Sequence, residues 1–294
     1  MSIASELTAL NGHILDAYDA VDAKGGTIPA NKNMASLATA IGTISGGGGG
    51  DMTGWADVMH GTGTIVNDSL LTTTGKQAFR ASPNVTSGHV FQKITSASFP
   101  NLTRIDEYCF YNWNALTTMN IPACTFIGSY AFSSCTALTT LTAPNVTHIG
   151  GTTTSESNGS NAFESCSLLT EIYMPNADLG WTTIFGYASY SEKIFKDCTS
   201  LAKIRIKPSK IGPNIFYGCS SLKALILMSE SVPTLSNTNA FTSSGIASGT
   251  GYIYVRKSLE ESYKTASNWS TYASQIRAIE DYSTDGTVNG DIVV

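Results

Sequence analysis

Apolar residues between positions 100 and 230 recur at fixed offsets, with polar residues filling the gaps. Around Phe110, Ile105 lies five before, Trp113 three after, Leu116 six after and Met119 nine after, and Pro122 closes the unit. Ile127, Phe132, Cys135, Leu138, Leu141 and Pro144 repeat that set without a gap, so Pro100, Pro122 and Pro144 stand 22 residues apart. A fixed period of this size predicts a solenoid, in which each coil buries its apolar residues only against neighbouring coils. The set returns at Phe163, Cys166, Leu169 and Ile172, at Phe195, Cys198, Leu201 and Ile204, and at Phe216, Cys219, Leu222 and Leu225. Pro144 to Pro175 spans 31 residues and Pro175 to Pro208 spans 33, which are the unit of 22 plus 9 and plus 11. More degenerate coils are expected at Ile94 to Pro100 and from Phe241 to Val255.

Alternation such as Leu141-Thr-Ala143 and Ile204-Arg-Ile206 has the period of two that a strand requires. Each coil is therefore expected to add one short strand to a continuous parallel sheet, with a spacing of roughly 4.8 Å. The proline after each strand removes a backbone donor and ends the pairing before the next turn.

The consensus Ile-x4-Phe-x2-Cys-x2-Leu-x2-Leu-x-Ile-Pro resembles the BspA-like leucine-rich repeat of bacterial surface antigens, protozoan surface proteins and some phage tail proteins. The resemblance covers about Val90 to Glu280. The stretch from Val255 to Tyr272 resembles the helical closure of such arrays. It implies a leucine-rich-repeat solenoid of short parallel β-strands and turns, ending in short C-terminal capping helices. It says far more about fold than about function.

Upstream, the periodicity changes. Ile3, Leu7, Leu10, Ile14, Ala17 and Val21 alternate spacings of 4 and 3, the seam of a coiled coil, and Gly25-Gly26 ends that helix. Met34, Leu37, Ile41 and Ile44 give a second short helical pattern, and Gly46 to Gly50 forms a tether. This opening resembles phage tail and baseplate accessory proteins, which begin with a helical attachment region and a Gly-rich linker. A helical hairpin within one chain fits the same spacings. The expected organisation is a helical attachment or oligomerisation segment at 1–45, a linker at 46–50 and an N-terminal cap region at 51–89. Repeats then fill 90–257, followed by a C-terminal cap at 258–280 and a tail at 281–294. Within the cap region, Asp51 to His60 reads as a short amphipathic helix and Gly63 to Val66 as a strand.

Charged residues make up only 13% of the chain and the formal net charge is −5, so solubility rests on hydroxyls and amides. That balance, without a basic stripe in the sequence, argues against nucleic acid and anionic membrane as partners. The start of the chain shows no secretory pattern and no apolar run reaches about 20 residues. A surface-type repeat lacking export signals fits a virion protein assembled in the host cytoplasm.

Candidate chemistry is sparse. Cys135, Cys166, Cys198 and Cys219 share one repeat column with Trp113, which predicts buried free thiols rather than disulfides or zinc ligands. His13, His60, His89 and His148 are scattered, and no catalytic or phosphate-binding motif is present. Glu164 and Glu171 fall in different columns and form no acid pair. We therefore assign no catalytic residue, cofactor or metal. The Asn and Thr of the Pro-Asn-Val/Leu-Thr turns are expected to bond their local backbone.

The interruptions carry the functional reading. Both insertions enter between Ile149 or Leu179 and the following Phe163 or Phe195, so both should leave one edge of the solenoid side by side. The first, 151–161, is polar and includes Glu156 and Asn158; the second, 180–190, is aromatic and includes Trp181, Tyr187 and Tyr190. Grouped insertions often build the binding face of a repeat array, although loops also collect wherever they are tolerated. The leading expectation is a homo-oligomeric phage tail or baseplate protein with Ile3, Leu7, Leu10, Ile14 and Val21 as its assembly seam; a trimer is what the resemblance to tail fibres implies, and the seam itself fixes no number. It would dock on other virion proteins through its N-terminus and present the repeats to a host-surface glycan or protein. A purely structural decoration or fibre subunit and a bacterial adhesin are the alternatives. Removing residues 1–45 should leave a monomeric repeat domain by gel filtration; an oligomer that survives the deletion would rule out the N-terminal seam as the assembly element.

Overall fold

The computed structural model describes residues 17–19, 32, 54–59, 63–81, 91–150, 161–179, 183–184, 187–188 and 193–281. The seam residues Ile3, Leu7, Leu10, Ile14 and Val21 lie outside these, as do Glu156, Asn158, Trp181 and Tyr190. Of Tyr187 only the backbone is described.

Strands form where the sequence alternates. The main series comprises β1 (Ile65–Asn67), β2 (Ser96–Ser98), β4 (Thr118–Asn120), β6 (Thr140–Thr142), β8 (Glu171–Tyr173), β11 (Lys203–Ile206), β13 (Ala224–Leu227), β15 (Tyr252–Val255) and β16 (Ile276–Ala278). In the three-residue strands β4 and β6 only the central Met119 or Leu141 is buried. Pairing is parallel and keeps the repeat register: Val66, Ala97, Met119 and Leu141 stand opposite one another in a four-stranded sheet. Ile172, Ile204, Leu225, Ile253 and Ile276 do the same in a five-stranded one. The expected continuous sheet is thus two ladders. They meet side by side at β6 and β8, across the coil that carries the first insertion.

Among the described residues, five coils also hold a second, shorter strand that the alternation did not reveal. β3 (Arg104–Ile105), β5 (Phe126–Ile127) and β7 (His148–Ile149) pair in parallel, as do β12 (Lys210–Ile211) and β14 (Thr234–Leu235). A bridge from His148 to Asp178 carries the line onward from β7. Two residues are too few to show a period. The coil pattern also begins earlier than position 90, because β1, the bridge from Thr73 to Arg104, and Phe79 occupy the corresponding places. About nine extra residues between Phe79 and Ala97, most of them outside the described residues, hide this coil from a search at a fixed period of 22.

The third side of the coil contains turns, yet its backbone is paired throughout. The N–H groups of Tyr108, Phe110 and Asn112 donate to the carbonyls of Ser129, Ala131 and Ser133 in the next coil at 2.8–2.9 Å. Two positions in each coil adopt left-handed φ: the residue two before the Phe (Gln77, Tyr108, Tyr130, Asn161, Lys193, Asn214) and the residue two after it. The latter are Asn112, Ser134, Ser165, Asp197, Gly218 and Ser243, half of them Asn, Asp or Gly, the types that tolerate that region. At Gly218 the missing Cβ also leaves room for Asp197 Oδ1, which would lie 2.4 Å from it.

Columns of identical side chains fill the interior. Phe110, Phe132, Phe163, Phe195, Phe216 and Phe241 stack with centroids 5.3–5.6 Å apart and planes within 20°, each pair adding about 0.5–1.5 kcal/mol beyond its burial. All six cysteines are buried free thiols. In the main column, the thiols of Cys135, Cys166, Cys198 and Cys219 each donate to the Phe carbonyl one coil back, at 3.0–3.2 Å. Trp113 makes the same bond with its indole N–H, to Phe79 O at 2.6 Å. That shared donor explains how a tryptophan and a thiol occupy equivalent places.

The Thr and Asn of the turns bond between coils, not locally. Thr103, Thr125 and Thr147 donate to the carbonyls of Thr72, Thr103 and Thr125. Asn145 Nδ2 donates to Pro122 O at 2.8 Å. At the N-terminal end, α1 (Trp55–Met59) lays Trp55 against Phe79 and Phe99, and its indole N–H is held by Asp68 at 3.0 Å. At the other end, the 3-10 segment Trp269–Gln275 brings Trp269 and Tyr272 over Phe241, and α2 (Glu260–Thr265) sets Tyr263 against Trp269.

Burial pushes the thiols of Cys109, Cys124, Cys135 and Cys219 up to about 12, and those of Cys166 and Cys198 well above the ordinary value of 9.0. The folded state therefore keeps protons that the unfolded chain releases. The stabilisation is complete below about pH 9 and is lost as pH rises toward 12, at up to about 1.4 kcal/mol per pH unit for each thiol. Urea melts at about pH 8 and about pH 10 should show this fall, and it should be shallower in a Cys166→Ala, Cys198→Ala variant. Iodoacetamide should label the native chain negligibly at neutral pH and label all six cysteines once the chain is unfolded.

Candidate interaction surface

With the interior given to packing, chemistry is left to the outer faces, and the turn side is the most varied. On it, most residues two before and one after the stacked Phe residues reach the surface in rows along the solenoid, Ser133 and Asn161 being the buried exceptions. The rows start with Arg80, Tyr108, Tyr111 and Tyr130, all at least partly exposed. Tyr108 and Tyr130 stack face to face at 4.5 Å with planes 3° apart, and Tyr111 meets Tyr108 edge-on at 5.6 Å. The Arg80 guanidinium sits over both Tyr108 and Tyr111, at 4.9 and 5.2 Å. Partial burial, and then the neighbouring carboxylate of Glu107, raise Tyr108 above the ordinary 10.0; burial likewise raises Tyr130. Glu107 pairs with Lys76 at 3.1 Å.

The rows continue into a charged cluster. Lys196 Nζ bridges Asp197 at 2.9 Å and Glu164 at 3.0 Å, and both carboxylates hold the ammonium well above the usual lysine range. The Asn161 side-chain amide donates to Glu164. Glu171 lies away from this cluster on the outer face of β8, paired with Lys203 at 3.1 Å. His148 is exposed on β7, its Nδ1 3.1 Å from Thr147 Oγ1. No group of three His, Cys, Asp or Glu side chains is placed to hold a metal among the described residues.

Both insertions leave and rejoin the coils beside this surface. Their departure points are tied together by Ile149 N–H donating to Asp178 O at 2.9 Å, and their return points by Phe163 N–H donating to Ile194 O at 2.8 Å. Two loops rooted in adjacent coils thus share one edge. Within the second, β9 (Thr183–Ile184) pairs antiparallel with β10 (Tyr187–Ala188), Tyr187 opposite Ile184. The fold brings the Tyr108–Tyr130 stack, Arg80 and the Glu164–Lys196 pair onto the side where those insertions emerge. Sequence reasoning missed the stack, although Tyr at the same offset before Phe110 and Phe132 was the signal.

The family profile described as "BspA type Leucine rich repeat region (6 copies)" matches residues 72–190 and 154–270 of the chain. No curated protein sequence matches it. Among solved structures, the chain is similar to a leucine-rich repeat protein from Eubacterium ventriosum ATCC 27560, with 23% identity and a TM-score of 0.44. That match covers 63% of this chain and 44% of the other, so the chain spans less than half of that relative's length. It also resembles the T. pallidum Leucine Rich Repeat protein (17% identity, TM-score 0.32, 54% of this chain and 78% of that one). A leucine-rich repeat protein from Bacteroides ovatus ATCC 8483 matches at 17% identity and TM-score 0.31, over 73% of this chain and 66% of that one.

The aromatic stack should be separable from the fold. Tyr130→Ala is expected to cost about 0.5–1.5 kcal/mol. Tyr108→Phe with Tyr130→Phe should keep the stack while removing two tyrosines that ionise above pH 10.0. Ultraviolet titration and urea melts of the three proteins check both outcomes.

Proposed function

This chain belongs to the BspA type leucine-rich repeat family, and on that premise we propose that it is a non-enzymatic attachment protein that displays its solenoid toward a cell surface. Its place would be a phage tail or baseplate, with residues 1–45 docking on other virion proteins and the repeats meeting a host glycan or protein. The observation that carries the reading is the common root of the two insertions, beside a partly exposed Tyr and Arg cluster. Tyr and Arg supply rigid contact area with polar edges and dominate binding hot spots. A regular coil needs neither insertion, since β12 and β14 continue the ladder without one. Support for the virion placement is in the N-terminal sequence, where a heptad-like seam is followed by the tether Gly46 to Gly50.

A purely structural role, as a decoration or fibre subunit contacting other virion proteins, is the second reading. The ladders of Thr hydroxyls engaged between coils favour it, since they stiffen the array without presenting a ligand. Particles carrying Trp181→Ala, Tyr187→Ala and Tyr190→Ala should adsorb to host cells at least about tenfold less well, equivalent to about 1.4 kcal/mol, with the repeat domain melting unchanged. Full adsorption by intact mutant particles would leave the structural role standing in place of attachment.

A further inference from the structure

Among the described residues, Tyr108 and Tyr130 are the one tyrosine pair with parallel rings. Their centroids lie 4.5 Å apart with planes 3° from parallel, closer than any neighbours in the phenylalanine column, where the spacing is 5.3–5.6 Å. Tyr108 and Tyr111 meet at 64°, and Tyr252 and Tyr254 at 66°.

The backbone sets this match. Both residues adopt φ 56° at equivalent places in successive coils. Tyr108 N–H donates to Ser129 O at 2.9 Å and Phe110 N–H to Ala131 O at 2.8 Å, so Tyr130 is bracketed by bonds to the coil that carries its partner. Arg80, from the preceding coil, places its guanidinium 4.9 Å from the Tyr108 centroid.

Both rings are partly exposed, and their hydroxyls lie near enough to bias each other's ionisation. The six thiols are all buried, so an oxidant arriving from solvent meets these phenols before any sulfhydryl. Tyr173 and Tyr217 are more exposed, but neither has a second tyrosine ring against it among the described residues.

We propose that Tyr108 and Tyr130 are a site of oxidative cross-linking, joined through their ortho carbons as dityrosine when the chain meets hydrogen peroxide and a haem peroxidase. Each phenol gives up one electron and its hydroxyl proton, leaving a radical shared between the oxygen and the ortho carbons. Two such carbons pair their electrons along the ring normals, the direction in which face-to-face rings already overlap. The two ortho C–H protons then leave while both oxygens take up protons, which restores two phenols joined by the new C–C bond. Overall the pair loses two electrons and two protons, and one hydrogen peroxide takes them up to become two waters. The product ties side chains 22 positions apart, and a covalent tie of that kind stabilises by restricting the unfolded chain. This modification needs neither the insertions nor an attachment partner.

Treating the full chain with hydrogen peroxide and a haem peroxidase tests the proposal. The monomer should gain the blue fluorescence of dityrosine and lose the mass of two hydrogen atoms, in a yield independent of protein concentration. Cyanogen bromide cuts after Met119, which is 1% exposed and so shielded from the oxidant. The fragments holding Tyr108 and Tyr130 should nevertheless stay joined. Tyr108→Phe and Tyr130→Phe should each form at least about tenfold less of this product, since rings held in place replace a bimolecular encounter. Tyr111→Phe, which leaves the stacked pair intact, should form as much as the parent. All three untreated variants should melt as the parent does, and the purified cross-linked monomer should unfold at a higher urea concentration. Three results would each overturn the idea: fluorescence absent or confined to covalent dimers, fragments that separate after cyanogen bromide, or a Tyr108→Phe or Tyr130→Phe variant that matches the parent's monomer yield.

Discussion

Every level of this structure depends on the bonding of one coil's backbone amides to the carbonyls of the next. On the two strand sides this is ordinary parallel pairing. On the turn side it is the same pairing carried through a turn with left-handed residues at Tyr108 and Asn112, where Tyr108, Phe110 and Asn112 reach Ser129, Ala131 and Ser133. Because a buried amide without a partner costs on the order of 1–3 kcal/mol, a coil cannot shift against its neighbour without losing a whole ring of bonds. That constraint fixes the register, and the register puts like side chains above like.

The stacking of like on like follows as a consequence. Phe meets Phe at the spacing of one coil, and each thiol reaches the carbonyl of the preceding Phe. Thr hydroxyls add a parallel set of staples outside the core. At the two ends of the array the rule lapses, and there large aromatic residues take over. Trp55, anchored by Asp68, covers the first coil, while Trp269 and Tyr272 lie over Phe241 with Tyr263 against Trp269. An array whose interior is so fully committed to its own repetition leaves recognition to the outer faces and to the interruptions.

The columns of Phe, Cys, Leu and Ile were legible because burial demands the same side chain at every period, and periodicity is visible in one dimension. The entry points of the insertions were legible for the same reason, as departures from that period. What escaped notice has no apolar signature. The second strand of each coil is two residues long, too short to alternate. The left-handed positions are filled by Tyr, Gln and Lys as well as Asn and Gly, so residue type alone does not mark them. Thr103 and Asn145 bond to a neighbouring coil rather than to their own turn, a distinction that depends on the stacking itself.

By itself, the sequence determined that the chain is a stack of coils, which residues fill it and where it is interrupted, because burial and hydrogen bonding repeat at a fixed length. The composition of the outer faces was decided only in three dimensions. Arg80, Tyr108 and Tyr130 belong to three successive coils. Parallel register brings them within about one strand spacing of their neighbours. Outward positions carry no common requirement from coil to coil, so nothing in their order along the chain announces which of them will meet.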